Sequence, residues 1–210
     1  MMEKVINITG GIGTGKSSVA NFIEDMGYDV VRSDQVAKDL MNSDEKMITK
    51  LKDVFGEDFY KDGKVNNEFV ASQVFGNDDK SKKRLAKLNS IVHPAVIDHN
   101  MNSIDKLFET GKEMVFVESA LTFEIGMEDA YDYIVVVDTP DDIRIPRVMK
   151  RNSLSEEEVL KRINNQMNMV EKRKYADFVI DNKGSLEELK NSTKFIVELL
   201  EKMPPKQVGG

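Results

Sequence analysis

Gly10-Gly11-Ile12-Gly13-Thr14-Gly15-Lys16-Ser17 fits the spacing G-x-x-x-x-G-K-[ST]. Glycines at this spacing let backbone N–H groups turn inward around phosphate oxygens, and a helix starting just after them adds partial positive charge. Lys16 is placed to reach the β- and γ-phosphates of a nucleotide, and the Ser17 hydroxyl to ligate Mg²⁺. Gly11, Ile12, Gly13, Thr14, Gly15 and Ser18 would complete the nucleotide-binding loop. The plain alternative is a glycine turn joining a strand to a helix. Four further places could carry chemistry. Asp34 follows a short apolar run and could act as a general base or face a metal; it could equally cap the next helix, a task that suits Asp. Glu118 ends the run Met114-Val-Phe-Val, where an acidic residue in a phosphate-loop protein helps hold Mg²⁺; otherwise it is a charge at a strand end. Arg147 and Arg151 lie four apart and share a helix face, so they could clamp phosphate oxygens or form a solvated basic face. His93, one of two histidines, stands alone before Pro94, a setting more typical of packing or capping.

The elements that must position these residues are legible in outline. Val5, Ile6 and Ile8 suit a buried strand leading into the loop. Val19, Ala20, Phe22, Ile23 and Met26 recur at helix spacing after it. Tyr28–Ser33 reads as a second strand, with a helix from about Gln35 to Asn42. Ligands of open α/β sheets bind beyond the carboxyl ends of the strands, which puts Asp34 near the phosphate loop. From Asp44 to Gly111 the pattern is helical, with a turn at Asp62-Gly63 and an interruption at His93-Pro94. The basic residues of Lys80–Val92 read as a solvated face, with a basic face beside a phosphate-rich substrate as the alternative. Tyr133–Asp138 is continuous and β-branched, as in a parallel strand buried on both faces. An Arg-rich helix follows Thr139-Pro140, and Pro146 sits awkwardly inside it. Ser155 with Glu158, and Ser185 with Glu188, have capping-box spacing. Tyr175–Ile180 gives a last strand and Met203–Gly210 a disordered tail.

Composition narrows the class. The 210 residues have 40% hydrophobic and 32% charged content, as in a globular chain. The formal charge of −7 argues against a nucleic-acid partner, whose footprint is usually basic. The chain has no cysteine, which excludes thiolate catalysis, disulfides and Cys-ligated zinc. No run resembles a signal peptide or a membrane span. The expected location is the cytoplasm, and a monomer is compatible with the sequence.

The motifs together resemble dephospho-coenzyme A kinase, a family of small P-loop kinases. Thr9–Ser17 and Ser33-Asp34-Gln35-Val36-Ala37 carry the first part of the resemblance. Leu88-Asn89-Ser90-Ile91-Val92-His93-Pro94, Leu121-Thr122-Phe123-Glu124 and the Arg147/Arg151 pair carry the middle. Arg162-Ile163-Asn164-Asn165-Gln166-Met167 and Ala176-Asp177-Phe178-Val179-Ile180-Asp181-Asn182 carry the last. The resemblance implies transfer of phosphate from ATP, with Mg²⁺, to the ribose 3′-hydroxyl of dephospho-coenzyme A. It implies a three-layer α/β sandwich around a parallel sheet, with residues 1–43, 112–139 and 167–203 as the nucleotide-binding core. Residues 44–111 would be a helical domain for the acceptor, and 140–166 a lid. Asp34 would accept the hydroxyl proton, while Lys16 and the lid residue Arg147 would offset charge on the transferring group. Arg151 and Asn182 would contact ATP, with Asn182 near the adenine. His93, Leu121, Phe123, Glu124 and Arg162 would face the acceptor, and Ser17 and Glu118 the metal.

The chain departs from the family's pattern at particular positions. Arg32 stands two residues before Asp34, where the family usually has Asp, and Glu118 stands where Asp is common. Ser119-Ala120-Leu121-Thr122 replaces a Pro-Leu-Leu core, and Asn152 follows Arg151 where Asp is frequent. Two rival readings share the loop: another small P-loop kinase acting on a nucleoside or nucleotide, and a nucleotide-dependent switch. A switch needs no carboxylate like Asp34.

Overall fold

The computed structural model describes residues 3–76 and 78–206. Strand β1 (Lys4–Thr9) runs into the phosphate loop and helix α1 (Lys16–Asp25). Then come β2 (Asp29–Arg32), α2 (Ser33–Ser43), α3 (Glu45–Phe55), the short strands β3 (Tyr60–Lys61) and β4 (Lys64–Val65), α4 (Asn67–Val74) and α5 (Asp79–Glu109). The chain finishes with β5 (Met114–Glu118), β6 (Tyr133–Asp138), α6 (Asp141–Asn152), α7 (Glu156–Asn164), α8 (Met169–Tyr175), β7 (Phe178–Asp181) and α9 (Leu186–Lys202). Two compact units result: Met1–Arg32 with Ser103–Gly210, and Ser33–Asn102.

The first unit is built on a five-stranded sheet of order β2-β5-β1-β6-β7, parallel at every pairing. Its central strands β1, β5 and β6 are rich in apolar residues because both faces of the sheet are covered. Ile6, Ile8, Phe116, Val135 and Val137 pack against Val19 and Ile23 of α1 and Leu189, Val197 and Leu200 of α9. On the opposite face, Val31, Val115 and Val117 meet Ile104, Leu107 and Phe108 at the end of α5. Ile134 and Val136 meet Phe123, Met167 and Met169. The result is the expected helix–sheet–helix sandwich. Both capping boxes form, Ser155 with Glu158 and Ser185 with Glu188.

The second unit has its own core. Met47, Leu51 and Phe55 of α3 pack with Phe59 and with Val92 and Val96 of α5, lined by Val36, Leu40 and Met41 of α2. The Asp62-Gly63 turn closes the β3–β4 hairpin with both residues at positive φ, 52° and 75°, as a two-residue hairpin turn requires.

Three sequence expectations need correction. Helix α5 runs unbroken through His93 and Pro94. Proline removes one hydrogen bond and costs about 3 kcal/mol inside a helix, but Leu88, Ile91, Val92, Ala95 and Val96 around it are packed into the core. Helix α2 begins at Ser33, so Asp34 lies within its first turn rather than ahead of it. The tail is held as far as Lys206: Tyr133 donates to the Pro204 carbonyl at 2.6 Å, and Lys206 pairs with Asp177 at 2.6 Å. Buried Lys4 donates to the Leu200 and Met203 carbonyls at 2.7 and 2.8 Å, a cation at the carboxyl end of a helix. The rest of the expected disordered tail, residues 207–210, lies outside the described residues.

Candidate nucleotide and metal site

The phosphate loop joins β1, the middle strand of the sheet, to α1. Gly13 and Gly15 have φ of 81° and 99°, a region that non-glycine residues enter only with strain. Space is short there too. A Cβ on Gly13 would lie 2.5 Å from Val148 Cγ2, and one on Gly15 2.3 Å from Asn182 Nδ2. The loop is braced from the carboxyl ends of β6 and β7. Thr139 Oγ1 and Asn182 Nδ2 both donate to the Thr14 carbonyl at 2.9 Å, and Thr139 also reaches the Asn182 carbonyl at 3.1 Å. Within the loop, Thr14 Oγ1 and Lys16 Nζ donate to the Gly11 carbonyl at 3.0 and 3.1 Å. The Ile12 N–H donates to Gln166 Oε1 at 2.8 Å.

Ser17 and Glu118 come together: Ser17 Oγ donates to Glu118 Oε1 at 2.9 Å. Glu118 is the last residue of β5, only 6% exposed. A hydroxyl and a buried carboxylate converging at the foot of a phosphate loop suit a hard divalent cation. Among the described residues, no three His, Asp or Glu side chains form a metal cluster. A cation here would therefore draw its remaining oxygens from phosphate and water, as Mg²⁺ commonly does.

A cavity of about 330 Å³ opens beside the loop, lined by Gly13, Gly15, Ser18, Arg147, Arg151, Asn182, Leu186 and Leu189. It brings together Arg147 and Arg151 on one face of α6 and Asn182 at the end of β7, apolar side chains opposite cations. That volume suits a bound nucleoside moiety. Pro146 is accommodated inside α6.

The loop expected to face the acceptor is less open. Leu121 is half-buried, but Phe123 is a core residue, 6% exposed and packed with Ile134, Val136 and Met167. Glu124 Oε1 accepts from the Met167 N–H at 2.8 Å and pairs with Lys172 Nζ at 2.9 Å. Lys172 is wholly buried and also donates to the Ala120 carbonyl at 3.0 Å. Glu124 Oε2 is buried with no hydrogen-bond partner among the described residues. Arg162 lies half-buried on α7. Asp34 and His93 belong to the second unit: Asp34 is exposed in the first turn of α2, beside Ser33, whose Oγ accepts from Asn100 at 2.8 Å. His93 is half-buried, and burial holds its pKa below the ordinary histidine value.

Three contributors went unassigned from sequence. Gln166 covers the Ile12 amide. Arg144 is 4% exposed, held by Asp141 at 2.6 Å, and its guanidinium packs on Gly11. Lys172 anchors the Glu124 loop from α8. The Arg144–Gly11 approach and the Lys172–Glu124 pairing are long-range contacts with no local spacing to announce them. Gln166 stood in the Arg162–Met167 segment, and only its partner was hidden.

The dephospho-CoA kinase family model matches residues 4–188. A dephospho-CoA kinase of Listeria innocua is 38% identical over 94% of this chain and 97% of its own length. One of Carboxydothermus hydrogenoformans is 35% identical over 92% and 93%. Among solved structures, a Thermus thermophilus protein aligns with TM-score 0.78 at 36% identity, covering 95% of this chain and 99% of its own. The dephospho-CoA kinase of Campylobacter jejuni aligns with TM-score 0.67 at 25% identity, covering 96% and 98%. A shikimate kinase of Acinetobacter baumannii, 13% identical with TM-score 0.53, shares the fold.

Proposed function

We propose a role for each residue of the site from one premise: the chain belongs to the dephospho-CoA kinase family, whose reaction is the ATP-dependent last step of coenzyme A synthesis. The observation that carries the proposal is the meeting of Ser17 and Glu118 under a phosphate loop that opens onto the arginine-lined cavity. The loop amides of Gly11 to Ser18 hold the phosphates, and the cavity between Arg147, Arg151 and Asn182 takes the nucleoside end of ATP. Gln166 Oε1 occupies a loop amide as a phosphate oxygen would, and yields the Ile12 N–H when ATP arrives. Lys16 Nζ, resting on the Gly11 carbonyl, turns to the β- and γ-phosphates. Ser17 and Glu118 would hold Mg²⁺, which neutralises phosphate charge when bound.

The helical segment 44–111 receives dephospho-coenzyme A, with His93 helping to seat it. Leu121, Glu124 and Arg162 flank the acceptor, and Phe123 supports their loop from the core. Asp34 orients the ribose 3′-hydroxyl and accepts its proton, while Lys16 and Arg147 offset charge on the moving phosphoryl group. Segment 140–166 closes as a lid and excludes water, which protects ATP from hydrolysis. Asp34→Asn tests the assignment. A general base typically contributes about 10²–10⁴-fold, so turnover drops on that scale while the affinity for ATP, measured by calorimetry, stays near that of the parent. Near-full turnover in the variant would remove Asp34 from the role.

A further inference from the structure

Two of the three departures at positions where the family favours Asp, Arg32 and Glu118, are neighbours in space. They lie opposite each other in register at the carboxyl ends of β2 and β5. Glu118 divides its carboxylate: Oε1 accepts from Ser17 at 2.9 Å, and Oε2 lies 3.4 Å from Arg32 Nη1. Arg32 is itself held from α1. Its Nε and Nη2 donate to Glu24 Oε1 and Oε2 at 3.2 and 2.7 Å, and Nη2 also reaches Asn21 Oδ1 at 2.7 Å. The guanidinium is thus fixed in a fork geometry with one edge towards a buried carboxylate.

We propose that Arg32 is a positioning residue that tunes the metal site: it holds Glu118 so that only Oε1 is presented beside Ser17, and its charge weakens cation binding there. The inference rests on Glu118 being the metal-facing carboxylate. A fixed cation on one oxygen of a carboxylate lowers the field that the other oxygen offers to a second cation. Glu24 moderates the effect by sharing the Arg32 charge, and so does solvent, because the Arg32 side chain is 27% exposed. The site therefore binds its cation more weakly, and releases it more readily, than a lone buried carboxylate would.

The test titrates the protein–ADP complex with Mn²⁺, following free Mn²⁺ by electron paramagnetic resonance, so that no turnover is needed. Arg32→Gln keeps a hydrogen-bond donor and removes the charge; it tightens Mn²⁺ binding about 3–10-fold, the scale of a partly screened neighbouring charge. Arg32→Lys keeps the charge and stays within about twofold of the parent. Glu24→Gln, on the surface of α1, leaves Arg32 with less competition and weakens binding. Unchanged or weaker binding in Arg32→Gln, or equal tightening in Arg32→Lys, overturns the proposal. Glu118→Gln separates the two levels. It weakens Mn²⁺ binding about tenfold or more if Glu118 faces the metal, and an unchanged affinity would defeat that premise and the Arg32 inference together. If Arg32→Gln does not fold, Glu24→Gln decides: affinity equal to or above that of the parent refutes the role of charge.

Discussion

Replacing Lys172 by Met should expose how the loop bearing Glu124 is held. The side chain is wholly buried, with Nζ 2.9 Å from Glu124 Oε1 and 3.0 Å from the Ala120 carbonyl. Met fills most of the same volume, so the cavity left is small and the loss is electrostatic. Removing one partner of a buried pair costs about 3–5 kcal/mol, because the other charge stays buried and unpaired. Glu124 is 17% exposed, and Oε1 keeps the Met167 N–H, so the low end, about 3 kcal/mol, applies. For a chain of this size that corresponds to a fall in Tm of about 6–12 °C. Urea unfolding followed by circular dichroism, with thermal scans alongside, measures it. Lys172→Met/Glu124→Gln removes the stranded charge and should recover about 1–2 kcal/mol relative to Lys172→Met. A loss under about 1 kcal/mol in Lys172→Met, or a double variant less stable than the single one, would refute the reasoning.

Gly13→Ala places a methyl group at positive φ, 2.5 Å from buried Val148. Backbone strain and overpacking together cost about 2–4 kcal/mol, and calorimetry should show ATP affinity lost even where the protein remains folded; parental affinity would contradict the loop geometry. Burial holds the His93 pKa below its ordinary value. Between that lowered value and about 6.5 the unfolded chain binds a proton that the folded chain does not, so stability falls as pH drops through that window. His93→Gln should flatten that dependence in urea midpoints at pH 7.5 and 5.5, and equal slopes in the two proteins would contradict it.

Local chemistry made much of the first unit legible in advance. The loop spacing, the β-branched run Tyr133–Asp138 and the two capping boxes each depend on residues within a few positions of one another. They formed as their types dictate. Ser17 and Glu118 were each singled out by residue type and position, and it is the side-by-side ending of parallel strands β1 and β5 that brings them together. Features settled by tertiary packing were not. Pro94 reads as a break, yet α5 continues because its apolar residues on either side share one core. Phe123 reads as a pocket residue, but its ring is sealed beneath α8, against Tyr175 with Lys172 over its face. With two prolines and two glycines, Met203–Gly210 read as disordered, yet Met203, Pro204 and Lys206 are tied down by Lys4, Tyr133 and Asp177, residues far away in sequence. The Arg32–Glu118 pair shows the intermediate case. Each residue was visible as a departure, and only the strand register showed that they face each other.

The central claim is phosphoryl transfer to the ribose 3′-hydroxyl of dephospho-coenzyme A, and its most direct test couples ADP release to product mass. The chain is incubated with ATP, Mg²⁺ and dephospho-coenzyme A, and the acceptor is recovered and weighed by mass spectrometry. ADP release matched by the gain of one phosphoryl group on the acceptor is the predicted result. ADP release with an unchanged acceptor, or no release at all, would contradict it and turn attention to nucleoside acceptors.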